Sequence, residues 1–198
     1  MTEIVLATRN KNKLDEISYI LKEIKLTIRT LDEFPAIPEL EENYNSIKEN
    51  ALHKAKTVYE YTGLPTLADD TGLEVDFLSG RPGVLSARFA SEKATYEDNN
   101  RKLLKMLEGV PDIYRKARFH CVAVFKDDKI EKIAEGICEG KIAFKPEGRH
   151  GFGYDPLFIV NGLGKTFAEL TAEEKNSISH RAIAFNIIAV EIKSHFNI

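Results

Sequence analysis

The pattern of hydrophobic positions predicts strands and helices that alternate along the first part of the chain. Residues 4–7 form an apolar run that is typical of a buried strand. Leucine and isoleucine then recur at spacings of three and four, which predicts an amphipathic helix over residues 11–23. Apolar residues over 26–31 indicate a second strand, which the proline-interrupted stretch 34–38 ends.

A second helix is predicted over residues 46–61. Ser46 and Glu49 have the spacing of a capping box, in which each side chain accepts a hydrogen bond from a free backbone N–H group. Gly63 follows the last apolar position, where glycine commonly ends a helix.

Two further segments of the middle of the chain have strand-like patterns. Residues 66–68 predict a short strand that delivers Asp69, Asp70, Thr71 and Gly72 at its end. Hydrophobic residues alternate with acidic residues over 73–77, ending at Phe77.

The second half of the chain contains a predicted helix over residues 96–107 and a predicted hairpin. Residues 117–125 have a clear period of two, and Asp127-Asp128 supplies a turn into a second strand over 129–134. A glycine-rich loop at 148–153 then leads to a strand over 157–160.

The final helix is predicted to begin after Ser179, which is a good N-cap residue, and its apolar positions include Ile183, Ile187 and Val190. Parallel-type units followed by a hairpin indicate an α/β protein with a mixed β-sheet covered by helices. The sequence has no repeat, low-complexity tract or linker, so a single domain over residues 1–198 is expected.

Composition and charge argue against several classes of function. The chain has 198 residues, and 28 basic against 31 acidic residues give a net charge of −3, so a nucleic-acid-binding surface is not expected.

Because no apolar run approaches about 20 residues and residues 1–6 lack the pattern of a signal peptide, a cytoplasmic protein without a membrane segment is expected. Cys121 and Cys138 lack metal-ligand spacing, so both are expected to be reduced and buried.

The polar segment between the first strand and the first helix is a candidate phosphate site. Thr8, Asn10 and Lys13 bring hydroxyl, amide and ammonium groups to the start of a helix, where an anion is stabilised. An ordinary helix cap followed by solvated lysines explains the same residues, since this is not the glycine-rich P-loop pattern.

A candidate metal site lies in the acidic residues. Asp69 and Asp70 follow an apolar strand, and Glu39, Glu41 and Glu42 lie upstream, so hard oxygen ligands of the kind that Mg²⁺ takes are available. The alternative is a turn at residues 69–72 with an exposed acidic loop.

Two segments near the end of the chain suit recognition of a flat ring. Residues 151–156 place Phe152 and Tyr154 among glycines that permit close backbone approach, although a plain turn with core aromatics fits equally. His180 and Arg181 lie in the first turn of a helix, where positive charge is unfavourable against the helix dipole. Their placement therefore favours a functional reason or a salt bridge.

Taken together, these segments resemble the Ham1-like inosine triphosphate pyrophosphatases over nearly the whole chain. The resemblance rests on six segments in the family's order, namely ATRNKNK, ENALHKA, LADDTGLEVD, GRPGVLSARFA, GFGYDP and ELTAEEKNSISHRA. It implies an elongated mixed sheet with two lobes and a substrate cleft between them, in a homodimer. It also implies Mg²⁺-dependent cleavage of ITP, dITP and XTP to the monophosphate and pyrophosphate, with Mn²⁺ as a possible substitute.

The resemblance also implies roles for individual residues. Asp70 is the implied proton acceptor, and Glu41 and Asp70 are the implied metal ligands. The implied substrate-binding residues are Thr8, Arg9, Asn10, Lys11, Asn12, Lys13, Lys54, Thr71, Phe152, Gly153, Tyr154, Asp155, Lys175, His180 and Arg181.

Two departures from the family pattern leave alternatives open. Members often have Glu-Glu-Thr-Gly where this chain has Glu41-Glu42-Asn43-Tyr44, so Glu42 is an alternative to Glu41, and Leu85 stands where a tyrosine is common. Two other functions remain possible: a Maf-like pyrophosphatase for modified pyrimidine triphosphates, and a nucleotide sensor without turnover. The intact Lys13 and the Asp69-Asp70 pair favour an enzyme over a sensor.

Overall fold

The computed structural model describes residues 2–198, so Met1, which the N-terminal prediction included, lies outside the described residues. Short 3₁₀ turns join the main elements. In order these are β1 (Thr2–Leu6), α1 (Lys11–Ile20), β2 (Leu26–Thr30), α2 (Ile47–Thr62), β3 (Thr66–Val75), β4 (Pro82–Gly83), α3 (Tyr96–Met106), β5 (Lys116–Lys126), β6 (Glu131–Ile142), β7 (Phe158–Val160), α4 (Ala172–Ile178) and α5 (His180–Phe196).

Over residues 2–198, seven strands form one sheet in the order β2-β1-β3-β5-β6-β7, with β4 paired to β3. β1 is parallel to β2 and β3, whereas β4 and β7 are antiparallel to β3 and β6. Only four residues join β5 to β6, and the Asp127 N–H donates to the Ile130 carbonyl at 3.0 Å. Parallel strands need a much longer connection, so β5 and β6 form the predicted hairpin. The predicted mixed α/β sheet is confirmed.

The predicted helix ends follow from capping. The Ser46 hydroxyl accepts from the Glu49 N–H at 3.1 Å, and Gly63 takes the left-handed conformation with φ +67° at the other end of α2. The Asn10 side chain accepts from the backbone N–H groups of Asn12 and Lys13 and begins α1. That helix ends at Ile20, three residues before its predicted end.

The chain divides into two compact units, each with its own hydrophobic core. Unit 1 comprises residues 2–70, 121–136 and 180–198, and its core includes Ile17, Leu67 and Phe185. Unit 2 comprises residues 71–120 and 137–179, and its core includes Leu103 and Phe158. The expectation of a single domain over residues 1–198 stays a prediction.

Two local predictions are wrong. β3 does not end before Asp69 but continues through residues 69–72 to Val75, and Phe77 lies half exposed in a 3₁₀ turn rather than in a strand. Ile183, Ile187 and Val190 lie on the exposed side of α5. The buried side of α5 is Ala182, Ala184, Phe185, Ile188, Ala189 and Ile192.

The start of α5 packs closely against β6. A Cβ atom on Gly136 of β6 would lie 2.1 Å from the His180 carbonyl oxygen and 2.6 Å from the Ala184 nitrogen, so the glycine lets the helix approach the strand. Because α5 is apolar on several sides, its spacing alone does not specify the buried one.

Two simpler expectations can be compared directly with the structure. Cys121 and Cys138 are buried and in no disulfide, as expected. Within residues 2–198, no helix is both long and apolar enough to cross a membrane.

Candidate active site

Two consecutive aspartates in β3 organise the polar cluster of unit 1. Successive side chains of a strand point to opposite faces of the sheet, so Asp69 and Asp70 contact different helices. Both are buried, with 1% and 5% of their surfaces exposed. A buried carboxylate needs charged or hydrogen-bonding partners, and each aspartate has its own set.

Asp69 contacts cations from α1 and α5, which pack against each other. Its Oδ2 atom lies 2.9 Å from Lys13 Nζ and 3.4 Å from Arg181 Nη2. Arg181 Nη1 also donates to Glu16 Oε2 at 2.5 Å. Burial alone would raise the pKa of Asp69, but the charges of Lys13 and Arg181 outweigh it and hold that pKa well below its usual value.

Asp70 contacts residues of α2 on the other face of β3. Lys54 Nζ donates to Asp70 Oδ1 at 3.2 Å and to Glu42 Oε1 at 2.7 Å, so one ammonium bridges two carboxylates. Asn50 Nδ2 donates to Asp70 Oδ2 at 3.1 Å. Burial raises the pKa of Asp70 despite the opposing charge of Lys54, whereas for Glu42 the charge of Lys54 outweighs burial and lowers the pKa.

The candidate phosphate segment is half exposed and leads into α1. Thr8 Oγ1 accepts from the Asn10 N–H at 3.1 Å, and Asn10 Oδ1 accepts from the next N–H groups, as an ordinary helix cap does. Lys11 and Asn12 are exposed. The Arg9 guanidinium instead lies 3.3 Å from the Ile37 carbonyl oxygen. Lys13 is therefore the member of this segment that joins the carboxylate cluster.

The candidate ring-binding segment lies in unit 2 and is held by Asp155. The Phe152 N–H donates to Asp155 Oδ2 at 2.8 Å, and Lys175 Nζ donates to the same oxygen at 2.5 Å. The Lys175 ammonium lies 4.9 Å from the centre of the Phe152 ring. A Cβ atom on Gly151 would lie 2.1 Å from Asp155 Oδ2, so this close turn requires glycine.

Two other members of this segment have structural contacts. The Tyr154 hydroxyl donates to the Ser86 carbonyl at 2.9 Å, and the ring is buried in the unit 2 core. The Gly153 carbonyl accepts from Asn100 Nδ2 at 3.0 Å. These contacts fix the turn that presents Phe152.

The predicted site residues are thus divided between the two units. Unit 1 holds residues 8–13 with Glu41, Lys54, Asp70, His180 and Arg181. Unit 2 holds Thr71, Phe152, Gly153, Tyr154, Asp155 and Lys175.

Comparison with known proteins identifies the family. The model of the Ham1 family matches residues 4–190. The chain belongs to the Ham1 family. A curated relative from Thermoanaerobacter sp. (strain X514), named dITP/XTP pyrophosphatase, is 50% identical over 182 residues, which cover 92% of each chain.

Solved structures of the Ham1 family have the same fold. The HAM1 protein from Coxiella burnetii is 41% identical, with a TM-score of 0.89 over 98% of this chain and 100% of that one. The Ham1 protein from Staphylococcus aureus is 35% identical, with a TM-score of 0.87 over the same shares. The resemblance seen in the sequence is therefore confirmed.

The acidic loop is where this Ham1 chain departs from the family pattern. Glu41 is exposed and accepts from Asn43 Nδ2 at 2.9 Å, whereas Glu42 contacts Lys54 beside Asp70. The structure therefore brings Glu42, and not Glu41, into contact with the cluster around Asp70.

The donor set fits a magnesium ion that is shared with a substrate. Among residues 2–198, no group of three or more His, Cys, Asp or Glu side chains is arranged to hold a metal ion. Mg²⁺ commonly takes one or two carboxylates together with substrate phosphates and waters, so it needs no such group. Asp70 and Glu42 supply two hard oxygen donors that a single cation, the Lys54 ammonium, already bridges.

Sequence reasoning missed three residues of these clusters. Glu16 lies three residues after Lys13 on α1, and Asn50 lies four residues before Lys54 on α2, so helical spacing alone places each beside a predicted residue. Asn100 contacts Gly153 from a helix 53 residues away in the chain. No local pattern indicates that contact.

Proposed function

We propose that this Ham1-family chain is a nucleoside triphosphate pyrophosphatase that hydrolyses ITP, dITP and XTP to the nucleoside monophosphate and pyrophosphate. The names of the curated relatives support the substrate class. The observation that carries the proposal is the buried Asp69-Asp70 pair of unit 1, in which Asp69 pairs with Lys13 from the first turn of α1 and Asp70 pairs with Lys54 from α2. Such an enzyme removes non-standard purines from the nucleotide pool, which is consistent with a cytoplasmic location.

The phosphates bind to residues 8–13 and to Lys54. A triphosphate carries several negative charges and the chain has a net charge of −3, so attraction must come from a local group of cations. The positive end of the α1 dipole adds to this attraction at the start of the helix. Positioning and charge stabilisation supply most of the catalysis of phosphoryl transfer.

Asp70 accepts the proton of the water that attacks the α-phosphate. Its burial raises its pKa towards the operating pH, which favours a general base, and Asn50 and Lys54 hold the carboxylate in place. Glu42 takes the role of metal ligand that the family pattern assigns to Glu41, because Glu42 is the acidic side chain in contact with Lys54. Bound Mg²⁺ would offset the charge that develops on the phosphates.

The family resemblance supports a separate set of residues for the base and sugar. Phe152 stacks on the purine, Gly153, Tyr154 and Asp155 shape the pocket, and Thr71 contacts the substrate. Lys175, His180 and Arg181 complete the base end. Hydrogen-bond donors directed at the oxygen at position six of the purine favour hypoxanthine and xanthine over adenine.

The active form is a homodimer, as the family resemblance implies. Light scattering on a size-exclusion column is expected to give twice the chain mass of 22.4 kDa. A peak at the chain mass across micromolar concentrations would contradict the dimer.

The deciding experiment is a panel of purine and pyrimidine nucleoside triphosphates, with orthophosphate and pyrophosphate assayed separately. Pyrophosphate and a monophosphate are expected from ITP, dITP and XTP. Chelation should abolish activity, and Mg²⁺ or, as an octahedral oxygen-binding substitute, Mn²⁺ should restore it. Release of orthophosphate with a diphosphate would remove the proposal, and a pyrimidine preference would favour the Maf-like alternative.

A further inference from the structure

A buried asparagine on α2 joins the catalytic strand to the acidic loop. Asn50 is fully buried, and its Nδ2 atom donates to Asp70 Oδ2 at 3.1 Å. Its Oδ1 atom accepts from the Tyr44 N–H at 3.1 Å. Tyr44 lies two residues after Glu42. A single amide group therefore contacts both Asp70 and the backbone of the loop that carries Glu42.

The chemistry of the partners fixes the orientation of this amide. A backbone N–H is only a donor, so it must face the amide oxygen, and an ionised carboxylate is only an acceptor, so it must face the amide nitrogen. A rotated amide would lose both bonds and leave buried polar groups unpaired. Asn50 is thus held in one orientation.

The same amide also fixes Asp70. Lys54 donates to Oδ1 and Asn50 donates to Oδ2, so donors one helical turn apart on α2 hold the two carboxylate oxygens separately. Two such bonds set the plane of the carboxylate as well as its position. The bond to Tyr44 sets where the loop that carries Glu42 lies relative to that plane.

We propose that Asn50 is a positioning residue for hydrolysis, in that its amide sets the orientation of the Asp70 carboxylate and the position of the Glu42 loop relative to it. This inference rests on the proposed function. Asn50 acts through Asp70 and the loop, so its loss affects turnover more than substrate binding. Misplacement of a catalytic group by about 1 Å costs on the order of a hundredfold in rate.

Two substitutions separate the two hydrogen bonds. Asn50→Leu removes both bonds at similar volume. Asn50→Asp keeps an oxygen that accepts from the Tyr44 N–H but replaces the donor to Asp70 with a second carboxylate. A matched control is Asn99→Asp in unit 2, where the buried Asn99 accepts from the Ala90 N–H at 2.8 Å and donates to the Ala87 carbonyl at 2.9 Å.

Steady-state kinetics with ITP should show kcat lowered at least about tenfold in both Asn50 variants, with KM within about threefold. Asn99→Asp should keep kcat within about threefold, although its melting temperature falls. Crystal structures should show a rotated Asp70 carboxylate in both Asn50 variants and a displaced Glu42 loop in Asn50→Leu alone.

Retention of kcat by Asn50→Asp would overturn the inference, as would an unmoved Asp70 in its crystal structure. Because Asn50→Asp preserves the loop bond, it remains informative if Asn50→Leu fails to fold. A wild-type protein that hydrolyses no purine triphosphate would instead overturn the proposed function, and the orientation of Asp70 in the variant structures would still decide whether Asn50 sets it.

Discussion

Asp69 and Asp70 are neighbours in the chain, yet their carboxylates face opposite sides of β3 and hold different partners. Asp69 is a counter-charge for Lys13 and Arg181, whereas Asp70 contacts Lys54 and Asn50. The alternation of a strand thus gives two identical side chains two roles. One role is structural, and the other is available for chemistry.

Substitution of each aspartate by asparagine should separate these roles. Asp70→Asn is expected to lower kcat about a hundredfold or more with little change in KM, because it removes a proton acceptor and keeps the shape. Asp69→Asn removes the buried carboxylate that pairs with Lys13 and Arg181 and is expected to lower the free energy of unfolding by about 3 to 5 kcal/mol. Urea unfolding and steady-state kinetics on both variants test this. Near-normal turnover by Asp70→Asn would move the proton acceptor to Asp69.

Lys13→Ala should raise KM strongly for every triphosphate, because contacts to phosphate carry no information about the base. Measurements with ITP, dITP, XTP and ATP should show increases of similar size. Lys22→Ala, which removes an exposed lysine just beyond the other end of α1, is the control for general loss of positive charge. An effect of Lys13→Ala on only one nucleotide would contradict a phosphate-binding role.

Local capping chemistry explains why the helices were predictable from the sequence. Ser46, Glu49 and Gly63 determine the ends of α2 through their own hydrogen bonds and conformation, so no distant residue is needed. The predicted end of the strand before Asp69 was wrong for the opposite reason. Their charges are tolerated inside a buried strand only because cations from three helices meet them there.

Residues of the candidate site could be predicted where they belong to a recognisable sequence motif. Lys13 and Lys54 were found by motif, but the selection of Glu42 over Glu41 for contact with Lys54 depends on how the acidic loop is held. The bond from the Tyr44 N–H to Asn50, six residues later in the chain, holds that loop, and no capping or helical pattern indicated it. The division of the site residues between two units likewise could not be predicted, because each unit is built from separate segments of the chain.

Stability at acid pH should depend on Asp127, which joins the β5–β6 turn to His195 at 2.5 Å. Burial opposes ionisation, but the N–H groups of Ile130 and Lys129 and the His195 ring outweigh it, so the pKa of Asp127 is lower folded than unfolded. Its contribution is therefore complete above the unfolded pKa of about 3.9 and is lost as the pH falls through the folded value.

Asp127→Asn is consequently expected to flatten the fall in stability between about pH 5 and pH 2. Urea midpoints measured across that range check the slope. Asp128→Asn is the matched control, because Asp128 is exposed in the same turn. Equal slopes in the wild-type protein and Asp127→Asn would contradict the assigned role.

Base choice is the property on which the proposed function depends most. Hypoxanthine presents an acceptor oxygen at position six and adenine presents a donor amine, so donors aimed at this position lose their partner when adenine binds. Unpaired buried donors cost about 1 to 3 kcal/mol each, so two or three give discrimination of about a hundredfold or more. We expect kcat/KM for ITP to exceed that for ATP by at least about two orders of magnitude.

Two substitutions should change kcat/KM in different ways. Arg181→Ala should reduce the ITP-to-ATP ratio mainly by lowering kcat/KM for ITP. Phe152→Ala should lower kcat/KM for all purine triphosphates together, because every base has a π-face. Equal values of kcat/KM for ITP and ATP in the wild-type protein would contradict a role in cleansing the purine pool. An unchanged ITP-to-ATP ratio in a folded Arg181→Ala variant would show that donors other than Arg181 select the base.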